Sequence, residues 1–165
     1  MFDRLDELLR QEQARFRVIN HAPAGSSEKV AEIRGTLPGQ GAKAMLCQVK
    51  ELPGQFVLAV LPGNRKLDFK SLGRAAGGKK ASLVPPDRAA ELTGCAMGAV
   101  PPFSFWPNVK LVVDPRLLDE HEEIAFNAGR LDTSMVLNSQ DFRRIARPLL
   151  ALIALAPLPL LNVLA

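Results

Sequence analysis

Two features of the sequence have the residue types to do chemistry: a lysine near the start of a strand, and a charge-free loop rich in glycine and proline. Lys43 shares a strand face with Met45 and Cys47 because alternate residues of an extended strand point the same way. An ammonium at the end of such an apolar row either reaches water or enters a pocket, where it offsets the charge of a phosphate or a developing anion. The residues alone leave both interpretations open.

The loop at 94–107, GCAMGAVPPFSFWP, contains no charged residue. Its glycines permit backbone conformations that other residues resist, and Pro101 and Pro102 remove two amide donors and fix φ. Such a loop presents fixed carbonyls and amides that hold a water or exclude a large group, but it supplies no strong acid or base. The alternative is a plain turn whose aromatic side chains pack inside the protein.

Few side chains qualify as a nucleophile, a general base or a metal ligand. Cys95 lies beside a glycine, in the setting of a buried, inert thiol, and His121 lies among acidic residues typical of a solvated helix face. His21 follows a strand and precedes a turn, so a pocket role and a structural hydrogen bond both stay open for it. No catalytic triad or paired-carboxylate pattern is present. Because the cysteines and histidines show no ligand spacing, we expect no metal and no cofactor.

The bulk properties favour one globular domain of 165 residues, long enough to bury a core. The net charge of +4, from 21 basic and 17 acidic side chains, permits an anionic partner such as RNA but shows no basic run that would demand one. No apolar signal core follows Met1, and two free cysteines suit a reducing compartment, so we expect a cytoplasmic protein.

Helices and strands interleave without a strict βαβ rhythm, which predicts a mixed α/β (α+β) fold in which a mixed sheet or partial barrel is flanked by helices. The predicted strands are 16–19, 42–50, 55–61, 81–84, 110–113, 124–127 and 134–137. The predicted helices are 2–13, a segment capped by Ser26 or Ser27 and ended by Gly35, 68–77, 85–92, 116–121 and a segment capped by Ser139.

The segment 148–165 contains no charge, and we treat it as a C-terminal tail that follows a domain at 1–147. Pro157 and Pro159 interrupt it, so it cannot form the unbroken helix that spans a bilayer. We expect the tail to pack against its own domain or a second subunit. The alternatives are an interfacial membrane anchor helped by the arginines just upstream, and a disordered or non-native extension.

Four separated motifs, in consistent order, resemble the YbaK/prolyl-tRNA synthetase editing-domain superfamily, and within it the free-standing YeaK-like deacylases. They are EIRGT at 32–36, GQGAKA at 39–44, the loop at 94–107 and EIAFNAG at 123–129. The resemblance runs from about residue 3 to residue 147. It implies this family's fold and an enzyme that hydrolyses the ester between a wrong amino acid and its tRNA.

The resemblance also implies roles for single residues. Lys43 matches the family's pocket lysine, which contacts the tRNA 3′ end and the aminoacyl ester, and Gly98 opens the Gly-x-x-x-Pro loop that lines the amino-acid pocket. We therefore assign Lys43 and Gly98 to catalysis. The implied substrate-binding residues are His21, Ala99, Val100, Pro101, Pro102, Phe103, Asn127 and Gly129.

The expected function is trans-editing of mischarged aminoacyl-tRNA, with seryl- and threonyl-tRNA favoured and other small amino acids as further candidates. An apolar pocket distinguishes one methylene by only about 1–3 kcal/mol, so selectivity by size needs walls that do not relax, and glycine with proline provides them. The expected partners are the 3′ acceptor end of the tRNA and an aminoacyl-tRNA synthetase, and no membrane. The alternatives are a non-catalytic module that binds a tRNA end or a synthetase, and a membrane-peripheral protein that uses the tail.

Overall fold

The computed structural model describes residues 1–24 and 26–156, which form helices around two β-sheets. The helices are α1 (Phe2–Gln11), α2 (Ser27–Arg34), α3 (Phe69–Ala75), α4 (Pro86–Thr93), α5 (Pro115–Asp119) and α6 (Ser139–Ala146). The strands are β1 (Phe16–Asn20), β2 (Ala42–Val49), β3 (Phe56–Pro62), β4 (Ala81–Leu83), β5 (Val109–Val113), β6 (Glu123–Arg130), β7 (Thr133–Asn138) and β8 (Leu149–Leu150).

The strands divide between a three-stranded sheet of order β1-β7-β6 and a five-stranded sheet of order β4-β2-β3-β5-β8. Pairing is antiparallel except between β3 and β5 and between β5 and β8, which run parallel. An isolated bridge between Gly41 and Ala125 joins the start of β2 to β6. The prediction of a mixed α+β fold with helices around mixed strands is confirmed, and the strands form two sheets.

The cap of α6 differs from the sequence prediction. The Asn138 side chain, not Ser139, accepts the amides of Gln140 and Asp141, both at 3.0 Å. The Ser139 hydroxyl instead donates to the carbonyl of His121. Both residue types cap helices well, and the contact of Ser139 with the loop between α5 and β6 leaves the capping role to Asn138.

The core contains an aromatic cluster that anchors the charge-free loop. Phe103 is 2% exposed, and its ring lies edge-on to Phe142 at 5.2 Å and to Phe126 at 6.0 Å between centroids. Phe105 and Trp106 are half-buried against the same cluster. The aromatic end of the loop therefore packs inside the protein, as expected for a turn whose aromatic side chains are buried.

Residues 149–155, which we call the C-terminal strap, pack against the domain. Leu149 and Leu150 pair with the end of β5, Ala154 bridges Leu67, and Ile153 is fully buried. The rest of the predicted tail, residues 157–165, lies outside the described residues. Within residues 1–24 and 26–156, no helix has the length and apolar character needed to cross a membrane.

Asp114 fastens the strap to the end of β5. Its carboxylate is 0% exposed and accepts hydrogen bonds from the amides of Ile153 and Ala154, both at 3.0 Å, and from the Arg116 guanidinium at 2.6 and 2.9 Å. Burial alone would raise the pKa of Asp114, but these hydrogen bonds together hold it below its usual value. The ionised carboxylate is therefore the form that stabilises this region.

We predict that Asp114→Ala lowers the free energy of unfolding by roughly 3 kcal/mol, because the guanidinium and the amides lose a buried acceptor. Urea denaturation of both proteins measures the difference. The exposed Asp119, which pairs with Arg143 at the surface, provides a control: Asp119→Ala should change the value by less than about 0.5 kcal/mol.

The effect of Asp114 should also depend on pH. Because its pKa is lowered in the folded state, its contribution is present above the unfolded-state pKa and is lost as pH falls through the folded-state pKa. The difference between wild type and Asp114→Ala should therefore shrink in acid. A difference that grows as pH falls would contradict this assignment.

Candidate active site

A cavity of about 360 Å³ opens where the start of β2 meets β6, a size within the range of small-molecule sites. One face of α2, the loop after α4 and the turn after β3 complete its wall. The lining residues are Ala24, Ser26, Ser27, Val30, Arg34, Gly41, Ala42, Lys43, Ala44, Gly63, Met97, Gly98, Val100, Asn127 and Leu131.

Helix α2 lies between the two residues that the sequence indicated as its ends. The Ser26 hydroxyl accepts an amide of the first turn, and Gly35, at φ +73°, ends the helix in the left-handed conformation. Ser27, Val30 and Arg34 follow helical spacing, so they share the face that lines the cavity. The two caps thus fix which side of this short helix meets the site.

Lys43 lies at the cavity wall with its ammonium half-buried. Its Nζ donates to the carbonyl of Arg65 at 2.6 Å, and burial lowers its pKa from the ordinary value. The strand start is tightly packed, because the Gly63 amide donates to the Gly41 carbonyl at 2.8 Å. A Cβ on Gly63 would lie 2.9 Å from the Pro38 carbonyl oxygen, so this turn requires glycine. Lys43 therefore lines the pocket with its half-buried ammonium held against the Arg65 carbonyl.

Strand β6 holds the glycine end of the charge-free loop. The Asn127 side-chain amide donates to the Gly98 carbonyl at 2.9 Å, and the Gly129 amide donates to the Ala99 carbonyl at 2.9 Å. Gly98 has φ +83°, a conformation that favours glycine. The amides of Gly98 and Val100 donate to no main-chain carbonyl within the described residues.

Arg34 organises the floor of the site, and sequence reasoning gave it no role. The side chain is 7% exposed; Nη2 donates to Asn127 Oδ1 at 2.9 Å and Nε to Ser134 Oγ at 2.7 Å. No carboxylate lies within ion-pair distance of it in the described part of the chain. Burial lowers its pKa to about 10. One feature of the sequence could have indicated this role. Arg34 lies four residues after Val30 and so on the same, inward face of α2, where a short polar or apolar residue is more usual.

His21 lies behind the wall and not in it. Its Nε2 is 2.6 Å from Ser134 Oγ, and its Nδ1 is 2.8 Å from the Ala22 carbonyl oxygen. A carbonyl only accepts, so Nδ1 carries a hydrogen. The Ser134 hydroxyl also lies 3.2 Å from Asn127 Oδ1. His21 therefore reaches the cavity only through these two side chains.

The structure brings four of the predicted site residues to the cavity and leaves six away from its wall. Those on the wall are Lys43, Gly98, Val100 and Asn127. The others face elsewhere for visible reasons: the loop residues are buried in the core, Gly129 packs so closely against Met1 that a Cβ would lie 2.8 Å from it, and His21 is screened by Ser134. The buried loop residues are Ala99, Pro101, Pro102 and Phe103.

The cavity offers cations and hydrogen-bonding groups but no side-chain base. None of the described residues that line it carries a carboxylate, an imidazole or a thiol. Burial raises the pKa of Cys47 to about 12 and also raises that of Cys95, and neither thiol lines the wall. Within residues 1–24 and 26–156, no three potential metal-ligating side chains cluster. The arrangement suits the binding of an oxygen-rich ligand and the stabilisation of negative charge that develops on it.

Solved structures of other proteins share this α+β fold. The chain superposes with a TM-score of 0.82 on the hypothetical protein APE2540, at 23% identity, covering 92% of this chain and 99% of that one. It superposes with a TM-score of 0.79 on a candidate trans-editing enzyme for prolyl tRNA synthetase, at 19% identity, covering 94% and 97% of the two chains. At these identities the likeness concerns the fold.

The family model for the aminoacyl-tRNA editing domain matches residues 21–145. The chain belongs to this family, so the resemblance seen in its motifs is confirmed. Over 146 residues it is also 52% identical to the multifunctional Ser/Thr-tRNA deacylase ProXp-y of Escherichia coli (strain K12), covering 88% of this chain and 87% of that protein.

We predict that Ser134→Ala lowers the free energy of unfolding by about 1–3 kcal/mol, because Arg34 Nε loses its buried acceptor. Urea denaturation measures this loss. Ser82→Ala, at an exposed position of β4, is the matched control and should leave stability within about 0.5 kcal/mol of wild type. Equal stability of the two variants would show that the network does not hold Arg34.

Proposed function

We propose that this protein is a trans-editing hydrolase that cleaves the ester between a wrong amino acid and the 3′ end of its tRNA, with seryl- and threonyl-tRNA preferred. The observation that carries the proposal is that Lys43 and the Gly98 main chain line one cavity to which the described residues contribute no side-chain base. The high identity to a Ser/Thr-tRNA deacylase supports the substrate class. We place the reaction in the cytoplasm, where a synthetase releases mischarged tRNA.

In this proposal the cationic side chains at the cavity, above all Lys43, bind the nucleotide end of the substrate. The Lys43 ammonium has one described partner, a neutral carbonyl, so its charge remains available to a phosphate or to the ester oxygens. The net charge of +4 adds only a mild attraction for the rest of the tRNA. Binding should therefore weaken as salt rises.

The chemistry then needs positioning more than acid–base catalysis, because an aminoacyl ester is already activated. Water attacks the carbonyl carbon, assisted by the ribose hydroxyl beside the ester; the bond to the ribose oxygen breaks, that oxygen takes a proton from the attacking water, and a free amino acid and a deacylated tRNA result. Asn127 occupies one lone pair of the Gly98 carbonyl, which leaves the other to accept a hydrogen from the attacking water. Lys43 and the amides of Gly98 and Val100 offset the charge on the ester oxygen.

Selectivity comes from walls on opposite sides of the amino-acid side chain. Met97, Gly98 and Val100 form an apolar wall, which is fixed because Asn127 and the Gly129 amide hold the loop. On the α2 side, the Ser27 hydroxyl makes no hydrogen bond with another described residue. That hydroxyl can pair with the hydroxyl of a serine or threonine substrate, which favours these amino acids over alanine.

A deacylation panel tests the proposal. Seryl-, threonyl-, alanyl- and cysteinyl-tRNA are incubated with the folded protein, and ester loss is followed. We expect seryl- and threonyl-tRNA to be cleaved fastest. If no ester is cleaved above the spontaneous rate, the proposal fails; binding of uncharged tRNA without hydrolysis would instead favour a non-catalytic tRNA-end module.

We predict that Lys43→Ala lowers kcat/KM for seryl-tRNA about 100-fold, the usual loss when one group that stabilises the transition-state charge is removed. The exposed Lys110 of β5 provides a charge-matched control, and Lys110→Ala should retain wild-type kcat/KM. Burial lowers the pKa of Lys43, so the Lys43-dependent rate should fall as pH rises through that lowered pKa. Activity unchanged in Lys43→Ala would remove the lysine from the mechanism.

We predict that Ser27→Ala lowers the preference for seryl- over alanyl-tRNA about fivefold, the effect of one hydrogen bond of about 1 kcal/mol. The ratio of kcat/KM for the two substrates measures it, because any general loss of activity cancels. Ser82→Ala is the control and should keep the wild-type ratio. An unchanged ratio in Ser27→Ala would mean that α2 does not read the substrate hydroxyl.

A further inference from the structure

We propose that the C-terminal strap positions Lys43, by holding the loop whose carbonyl receives the lysine ammonium. The expected effect of the strap on catalysis rests on the proposed function. Residues 149–155 lie beyond the 21–145 range that the family model matches, so the family pattern gives this strap no role. The strap is nevertheless joined to the site by a short series of contacts.

The first contact is that of Lys43 itself. Its Nζ donates to the Arg65 carbonyl at 2.6 Å, the one hydrogen bond that the described residues give this ammonium. Arg65 belongs to the loop 63–68 between β3 and α3, which we call the lysine loop. The place of the ammonium therefore depends on where this loop puts one carbonyl.

The lysine loop is held in turn by the strap. The Leu155 amide donates to the Lys66 carbonyl at 2.8 Å, and the Asp68 amide donates to the Ile153 carbonyl at 2.7 Å. These two main-chain bonds form a short antiparallel ladder directly after Arg65. The strap, which lies far from the loop in the sequence, thus pairs with it as a strand would.

The strap has its own rigid support. The Asp114 carboxylate accepts the amides of Ile153 and Ala154, and Arg116 Nη2 donates to the Ala154 carbonyl at 2.7 Å. Ile153 is fully buried in the core beneath. The end of β5 therefore holds the strap, the strap holds the lysine loop, and the loop carries the carbonyl that binds the ammonium.

Leu155 is the place to test this series, because its side chain is 48% exposed while its amide makes the bond to the loop. Leu155→Pro removes the N–H with little loss of buried surface, whereas Leu155→Ala keeps the N–H and is the matched control. The variant removes one of the two main-chain bonds between the strap and the lysine loop, so we expect the Arg65 carbonyl to shift and Lys43 to move toward water.

The experiment measures three quantities on wild type and both variants: kcat/KM and kcat for seryl-tRNA, the thermal midpoint, and the pH dependence of Lys43 modification by an amine-reactive reagent read by mass spectrometry. In Leu155→Pro we expect kcat/KM to fall about tenfold, mostly through kcat. The midpoint of Lys43 modification should shift to higher pH, because exposure relieves the burial that lowers its pKa. Leu155→Ala should match wild type in kcat/KM and in Lys43 modification, with only a small decrease of the thermal midpoint from the lost half-buried side chain.

Two results would overturn the proposal: wild-type kcat/KM in Leu155→Pro, or a lower thermal midpoint with no shift in Lys43 modification, which would mark the strap as merely structural. Should Leu155→Pro fail to fold, Asp114→Asn weakens the same support while keeping the side-chain shape, and the same readouts apply. Lys43 modification needs no tRNA, so it tests the strap even if wild type cleaves no ester and the proposed function fails.

Discussion

Two cations are held at one cavity by neutral oxygen atoms, and the rest of the site depends on that constraint. Arg34 donates to a side-chain amide and a hydroxyl, and Lys43 donates to a main-chain carbonyl. Burial lowers the pKa of both groups, because a charged group loses hydration there and neither one has a carboxylate partner among the described residues. A carboxylate partner would compensate for the lost hydration, but it would also neutralise the charge that a substrate needs.

The fold explains how such an arrangement stays in place. The two sheets meet at the bridge between Gly41 and Ala125, so Lys43 on one sheet and Asn127 on the other face the same space. The Asn127 side chain then joins the two halves of the site. Its oxygen accepts a hydrogen bond from Arg34, and its nitrogen donates one to the Gly98 carbonyl. The charge-free loop is thus fixed by an amide at its glycine end and by aromatic packing at Phe103.

The sequence predicted what depends on local pattern. Helix caps and strand alternation located the elements, and they indicated that Lys43 lies at the end of an apolar strand face with Met45 and Cys47. Whether its ammonium enters a pocket was left open by the residues alone. The sequence did not predict Arg34 or Ser134, because their roles come from a hydrogen bond between residues 100 positions apart, which no local pattern encodes. For the same reason the sequence left open whether His21 has a pocket role or makes a structural hydrogen bond, because its partner Ser134 lies 113 positions away.

The tail illustrates the same limit in another way. Its composition predicted packing against its own domain or a second subunit, and residues 149–155 do pack against the domain. The strap pairs with the loop carrying Arg65 through main-chain bonds between residues far apart in the sequence, which no local pattern encodes. An apolar segment specifies burial, but the polar groups of Asp114 and of the main chain specify where it lies.

The most direct measurement is a crystal structure of the protein with a non-hydrolysable 3′-seryl-amide analogue of the terminal adenosine. The account predicts that the seryl group lies between α2 and the Gly98 loop, with the Lys43 ammonium within hydrogen-bond distance of the nucleotide or of the amide oxygen. An analogue bound outside this cavity, or one inside it that touches neither Lys43 nor the Gly98 main chain, would contradict the account.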